Sequence, residues 1–237
     1  MHPARLVPNH ARFSPQPDSI RKTVNNQSYT AYMSGIRDIL SFPKVYQLWQ
    51  APFAQHKFKP LLKHTDFSNI RRVLDVGCGP GTNAQFFQGR EYLGLDINPR
   101  YIENATRRFT ASHGATCEFR LQDVREYHPS EADRSDFILL NSFLHHIDDD
   151  NSDKILSRLQ HILSDEGHIH ILDLVLPDSK GIPRTLAKFD RGKHPRPLDH
   201  WKKLFTKHFK PVIFEAFHLK RWGIPFWSMV YFKGQKQ

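Results

Sequence analysis

Short apolar runs alternate with amphipathic segments through the middle of the chain. The apolar runs lie near 72–76, 91–95, 117–121, 135–140 and 167–174, and helical patterns lie near 81–88, 99–112 and 151–163. Strands that are joined through helices return parallel to one another, because a tight turn can join only antiparallel strands. The alternation therefore predicts an α/β fold with a doubly wound, mostly parallel sheet.

Further segments flank this α/β core. A helix is predicted at 198–208, and the two strand-like runs after it have no helix behind them, so we expect a C-terminal antiparallel hairpin. Apolar residues at helical spacing predict two N-terminal cap helices, over 28–40 and 45–63, with a kink at Pro52. The predicted organisation is a flexible leader (1–27), the cap helices (28–66) and the α/β domain (67–237).

Three alternate glycines, Gly77, Gly79 and Gly81, follow the first apolar run directly. Glycine permits positive φ and lets a ligand approach the backbone closely. The spacing is GxGxG, whereas the dinucleotide fingerprint is GxGxxG, with its third glycine placed for helix packing. The pattern therefore disfavours a nicotinamide cofactor. A tight strand-to-helix turn that binds no ligand is the alternative.

Acidic residues accompany the first three strands. Asp75 precedes the glycines, Asp96 ends the second run, and Asp123 follows the third. A carboxylate about 20 residues beyond a glycine loop can accept hydrogen bonds from both hydroxyls of a ribose. Capping of the next helix is the alternative role for Asp96.

In the order of these motifs, residues 71–175 resemble class I S-adenosylmethionine-dependent methyltransferases, which have a Rossmann-like fold. The resemblance implies S-adenosyl-L-methionine as the cofactor, with its methionine portion at the glycine loop and Asp75. It implies that Asp96 binds the ribose, Asp123 the adenine amino group, and the Val124 N–H the ring. The cofactor-binding residues that it implies are Asp75, Gly77, Cys78, Gly79, Gly81, Asn83, Asp96, Ile97, Asp123, Val124 and Asn141.

Two absences narrow the chemistry. The segment Asn141-Ser142-Phe143-Leu144 lacks the Pro-Pro-aromatic sequence of base-amine and glutamine methyltransferases, which argues against exocyclic amines as targets. No Cys/His spacing suits zinc, so no metal is expected. The sequence also departs slightly from the usual family pattern at Ser164–Gly167, where the family has a glycine-rich turn. Gly167 remains available for such a turn.

Candidate catalytic and substrate residues lie beyond the cofactor motifs. His145 and His146 follow the fourth strand, where a neutral imidazole can accept a proton near pH 7, and a structural histidine is the alternative. For the substrate we expect Tyr29 and Tyr32 of the cap. Arg191 and Arg196 of the basic tail are expected to bind an anion, or else to lie in a solvated loop.

The net charge of +10 is unevenly distributed along the chain. Residues 1–70 carry +6, residues 71–178 carry −7 and residues 179–237 carry +11. The two positively charged segments, before and after the acidic middle, either attract an anionic partner or only keep the protein soluble. No apolar run approaches the roughly 18 residues of a membrane span. The two cysteines, one of them inside the glycine loop, suggest a reducing, cytoplasmic setting.

We therefore expect methyl transfer to an oxygen or carbon nucleophile of a small metabolite, anionic or partly apolar. The runner-up is an RNA methyltransferase, suggested by the pI of 9.7 and the basic tail, although no RNA-binding module is recognisable. A different class is a protein that binds S-adenosylmethionine without transferring methyl, or a cyclase with the same fold. The sequence gives no oligomeric state.

Overall fold

The structure, a computed structural model, describes residues 54–110, 116–190 and 192–237. The strands are β1 (Arg72–Val76), β2 (Glu91–Asp96), β3 (Cys117–Leu121), β4 (Ser135–Asn141), β5 (Leu163–Leu174), β6 (Lys210–Arg221) and β7 (Ile224–Gln235). The α-helices are α1 (Ala54–Lys63), α2 (Pro99–Ala105), α3 (Asp149–Ile162), α4 (Ile182–Phe189) and α5 (Leu198–His208). A 3-10 helix, Thr82–Phe87, follows the glycines, and a π-helical turn, Thr106–Thr110, continues α2.

The described strands form one seven-stranded sheet in the order β3-β2-β1-β4-β5-β7-β6. Strands β1 to β5 are parallel to one another. Strand β7 is antiparallel to both β5 and β6. The predicted Rossmann-like, doubly wound sheet with a C-terminal antiparallel hairpin is confirmed. Because the strand order reverses between β1 and β4, the carboxyl ends of these two strands form the crevice where such sheets bind ligands.

Both faces of the sheet are covered, as parallel strands require. Successive residues of a strand point to opposite faces. Leu74 and Val76 of β1 therefore join the core cluster under α3 and α5, whereas Val73 joins the cluster that includes Phe58 and Leu61 of α1. The inner strands are mostly apolar for this reason, so the buried polar residues within them, such as Asp75 and Asp173, need partners.

The second predicted cap helix is partly described. The structure describes Ala54–Lys63 of this helix as α1, which ends at Lys63, where the predicted helix ends. The predicted leader, the helix over 28–40 and the kink at Pro52 lie outside the described residues. The domain limits remain a prediction.

Two local predictions need correction. The turn expected at Ser164–Gly167 is part of β5, which starts at Leu163 and shifts its register against β4 between Ser135 and Phe137. Helix α4 was not predicted from the sequence; it packs against β7, where Ala187 is buried beside Met229. Within the three described ranges, no helix combines the length and apolar character needed to cross a membrane.

Candidate functional site

The glycine loop adopts the backbone conformation that its composition predicts. Gly77, Gly79 and Gly81 have φ values of 68°, 54° and 78°. A Cβ on Gly77 would lie 2.2 Å from the Phe143 ring, and one on Gly81 would lie 2.9 Å from the Phe119 ring. A Cβ on Gly79 would meet no atom of the described residues within 4 Å. Among these residues Gly79 therefore presents uncovered backbone.

Asp96 fastens this loop to the end of β2. Its Oδ2 accepts a hydrogen bond from the Gly79 N–H at 2.9 Å, and its Oδ1 accepts from the Asn98 N–H at 2.8 Å. The side chain of Asn98, and not that of Asp96, caps α2 by accepting from the Arg100 N–H. The alternative role of Asp96 as the cap of α2 is therefore wrong. Burial raises the pKa of Asp96, while the backbone N–H donors oppose that shift.

Asp75, Asn83 and Asn141 form a chain of side-chain hydrogen bonds across the crevice. Asp75 Oδ2 accepts from Asn83 Nδ2 at 2.9 Å and from the Tyr92 hydroxyl at 2.5 Å. Asn141 Nδ2 donates to Asn83 Oδ1 at 3.0 Å. Burial raises the pKa of Asp75 to about 6, although its two hydrogen bonds act in the opposite direction. The tips of β1 and β4 are thus linked through Asn83.

Two acceptor atoms of this network have no hydrogen-bond partner among the described residues. They are Asp75 Oδ1 and Asn141 Oδ1, and both are buried. A buried acceptor without a donor is costly, so each calls for a ligand group that donates. The ammonium of an amino-acid moiety is such a donor, and the open backbone at Gly79 allows close approach. These residues fit S-adenosylmethionine.

The other cofactor residues implied by the resemblance differ in their surroundings. Cys78 is buried, which raises the pKa of its thiol, and Ile97 is half-buried. Asp123 caps a short 3-10 turn, accepts from the Arg125 N–H at 2.9 Å and pairs with the Arg125 guanidinium at 2.6 Å. Val124 is buried. The contacts of Asp123 and Val124 with adenine remain predictions.

His145 is enclosed between two carboxylates. Its Nδ1 lies 2.5 Å from Asp173 Oδ1, its Nε2 lies 3.2 Å from Asp190 Oδ2, and the residue is 2% exposed. Burial alone would lower the pKa of His145, but the two carboxylates outweigh it and raise the pKa to about 9. The imidazolium is therefore already protonated near pH 7. The prediction of His145 as a base needs correction: both of its ring nitrogens are occupied within the protein.

His146 is in a different state. The residue keeps contact with solvent, but its ring packs against the ring of His145, with the two ring centroids 4.1 Å apart. Loss of hydration and the positive charge of His145 both lower the pKa of His146. It is therefore neutral near pH 7 and can accept a proton, so the prediction of a catalytic base rests on His146.

The basic loop before α5 closes over His145. The Gly192 N–H donates to Asp190 Oδ2 at 3.0 Å, and the His194 N–H donates to the His145 carbonyl at 3.0 Å. A Cβ on Gly192 would lie 2.1 Å from His145 Cδ2. Glycine is therefore required where the loop crosses the ring.

Arg196 does not face a ligand. It is 4% exposed, its Nε pairs with Asp149 at 2.6 Å, and its other nitrogens donate to the carbonyls of Leu144 and Ile147 at 2.9 and 2.7 Å. Its guanidinium also lies 4.7 Å from the ring centroid of Trp201. The predicted substrate role of Arg196 therefore needs correction, because its donors hold the loop in place. The other predicted substrate residues, Arg191, Tyr29 and Tyr32, lie outside the described residues.

Sequence reasoning missed Lys57 and Asp173. Lys57 Nζ donates to Ser142 Oγ, and burial lowers the pKa of Lys57 to about 8 against the opposing charges of Asp173 and Asp190. Asp173 is fully buried in β5. A carboxylate inside an apolar strand must have a partner, so its position within the run Ile169–Leu174 was a usable signal.

Comparison with known proteins identifies the domain. The family described as "Methyltransferase domain" matches residues 73–167, which include the glycine loop, Asp96 and β4. Residues 73–167 thus match a methyltransferase domain, and the described sheet has the fold of the class I enzymes. Both findings agree with the resemblance that the motifs predicted.

Curated relatives are trans-aconitate 2-methyltransferases. The protein of Rhizobium leguminosarum bv. trifolii is 28% identical over 177 residues, which cover 73% of this chain and 59% of that protein. The protein of Escherichia fergusonii is 29% identical over 134 residues, which cover 54% of this chain and 48% of that protein. The chain thus spans about half to three-fifths of the length of these relatives.

Solved structures share the fold. The 1,6-didemethyltoxoflavin-N1-methyltransferase of Burkholderia thailandensis, solved with S-adenosylhomocysteine, has a TM-score of 0.66 and 20% identity, covering 89% of this chain and 90% of its own. The N-methyltransferase NodS of Bradyrhizobium japonicum, also solved with S-adenosylhomocysteine, has a TM-score of 0.65 and 17% identity, covering 86% and 97%. At these identities the likeness concerns the fold of the methyltransferase domain.

Proposed function

We propose that the protein binds S-adenosylmethionine and transfers its methyl group to an oxygen or carbon nucleophile of a small anionic molecule. The observation that carries the proposal is the loop from Gly77 to Gly81, with bare backbone at Gly79. Beside it, Asp75 Oδ1 and Asn141 Oδ1 have no donor in the part of the chain that the structure describes. A donor-rich, cationic ligand is needed there. The methionine portion of the cofactor has that character.

A small carboxylate is the acceptor class that the relatives favour. Trans-aconitate, which their names give as substrate, is a tricarboxylate. Reduced, unpaired Cys78 and Cys117 suit a cytoplasmic setting, which is part of the proposal. For the RNA alternative, Arg196 of the basic tail is not available, because its guanidinium is used inside the protein.

The protein's own task in such a reaction is orientation. When bound, S-adenosylmethionine supplies an electrophilic methyl group on a sulfonium with a good leaving group. The side chains at the tips of β1 and β4 then have to fix the acceptor in line with that group, an effect worth roughly 7–11 kcal/mol in favourable cases. A carboxylate acceptor needs no base, whereas a hydroxyl or carbon acid requires one. His146 is the neutral group that can accept such a proton at its Nδ1 or Nε2.

Calorimetry tests the cofactor, and turnover tests the acceptor. We expect S-adenosylmethionine and S-adenosylhomocysteine to bind and NAD not to bind. With methyl-labelled donor, trans-aconitate is the first acceptor to assay, followed by other small carboxylates. Tight NAD binding without any response to S-adenosylhomocysteine would overturn the cofactor assignment. Cofactor binding without label transfer to any acceptor would favour the non-methylating alternative.

A further inference from the structure

Lys57 is a partly buried cation that the cofactor residues do not use. Its Nζ donates to Ser142 Oγ, and within the described parts of the chain it forms no other hydrogen bond and no ion pair. A lysine ammonium has three donors. Desolvated donors without acceptors are unfavourable, so Lys57 has donors available for a ligand.

The neighbouring acids are already engaged by another cation. Asp173 and Asp190 both contact the ring of His145, and Asp173 also accepts from the Leu144 N–H at 2.8 Å. Two carboxylates and two cations give this cluster no net charge when His145 is protonated. The positive charge of Lys57 is offset by the Asp173 and Asp190 carboxylates through space, without direct contact.

Ser142 connects Lys57 to the cofactor crevice. It follows β4 directly and has a φ of 54°, a conformation that side chains other than glycine rarely adopt. Its N–H donates to the Leu172 carbonyl at 2.8 Å, which fixes the position. The preceding residue, Asn141, belongs to the network with Asn83 and Asp75. A group bound by Lys57 and Ser142 would therefore lie beside the cofactor.

We propose that Lys57 and Ser142 bind a carboxylate group of the acceptor. The inference rests on the proposed function and assigns anion recognition to α1 and the tip of β4, in place of Arg196. A single ammonium with one hydroxyl in a cluster of no net charge suits a monoanionic carboxylate. Phosphate sites typically provide arginine forks or several backbone N–H donors.

The first test measures binding without turnover. The full chain, loaded with S-adenosylhomocysteine, is titrated with glutarate, benzoate and citrate, with the matched amides glutaramide and benzamide, and with inorganic phosphate. The NMR signals of the Lys57 side chain and the Ser142 amide are followed. We expect a carboxylate to shift both signals and its matched amide to shift neither.

The second test uses variants of the same helix. Lys57→Met is expected to weaken carboxylate binding by about tenfold to a hundredfold, as expected for the loss of one charge-assisted hydrogen bond. Lys57→Arg should restore part of it. Lys59→Met is the matched control, because Lys59 is exposed on α1, and it should bind like the parent. With an acceptor identified, Lys57→Met should raise KM for the anionic acceptor more than it lowers kcat.

Three results would overturn the assignment. They are carboxylate binding by Lys57→Met within twofold of the parent, a preference for phosphate over every carboxylate, and no shift of either signal with any carboxylate. In each case S-adenosylhomocysteine binding and methyl transfer to an anionic acceptor would leave the proposed function intact. Loss of S-adenosylhomocysteine binding by the parent would instead defeat the proposed function.

Discussion

The pairing of His145 with Asp173 and Asp190 predicts a specific loss of stability at high pH. The pKa of His145 is raised from 6.5 to about 9 in the folded protein. A group that binds its proton more tightly when folded stabilises the fold fully below its unfolded pKa, near 6.5, and this stabilisation disappears as the pH rises through about 9. A shift of this size corresponds to about 3 kcal/mol.

The assay is urea unfolding of the parent and of His145→Gln at pH 6 and pH 10. Other groups titrate over this range in both proteins, so the difference between the two free energies of unfolding isolates the histidine. We expect this difference to fall by about 3 kcal/mol between pH 6 and pH 10. NMR titration of the ring nitrogens should give a midpoint near 9. A midpoint near 6.5, with no change in the difference, would refute the ion-pair argument.

Three substitutions test the other roles. Asp96→Ala should weaken S-adenosylhomocysteine binding at least tenfold by calorimetry, since each charge-assisted hydrogen bond contributes about 1.5–3 kcal/mol; an affinity within threefold would remove Asp96 from the cofactor site. Gly77→Ala should lower the melting temperature more than Gly89→Ala: both glycines have positive φ, but only a Cβ at position 77 would clash with Phe143. Equal losses of melting temperature would count against the clash. Arg196→Ala should cost about 1–3 kcal/mol in urea unfolding, because the buried carbonyls of Leu144 and Ile147 lose their donors. A variant as stable as the parent but with a raised KM would return Arg196 to the substrate.

The parts of the fold that were predictable depend on local patterns. The β1 run, the glycines and Asp96 lie within a short stretch of sequence. The backbone conformation of this stretch follows from its residue types alone. Strand bounds were therefore predicted closely for β1 to β4. The shifted start of β5 was not, because whether Gly167 turns the chain or lies within a strand depends on how β5 pairs with β4, whose register shifts between Ser135 and Phe137.

The parts that were missed depend on tertiary contacts. Arg196 looked like an anion ligand because charged residues in loops are mostly exposed. In the structure, the backbone carbonyls of Leu144 and Ile147, which follow β4, and the Asp149 carboxylate surround the guanidinium of Arg196. Lys57 reaches Ser142 across 85 positions of sequence, so no local pattern could pair them. His145 and His146 are adjacent in sequence and similar in type, yet only the fold places His145 between two carboxylates.

Methyl transfer from a labelled donor tests the central claim most directly. The full chain is incubated with methyl-labelled S-adenosylmethionine and a metabolite extract supplemented with trans-aconitate, and products are detected by mass. The account predicts a labelled small-molecule product, formed in equal amount to S-adenosylhomocysteine and strongly reduced with Asp96→Ala. Saturating cofactor binding by calorimetry, together with no labelled product and no S-adenosylhomocysteine, would contradict it.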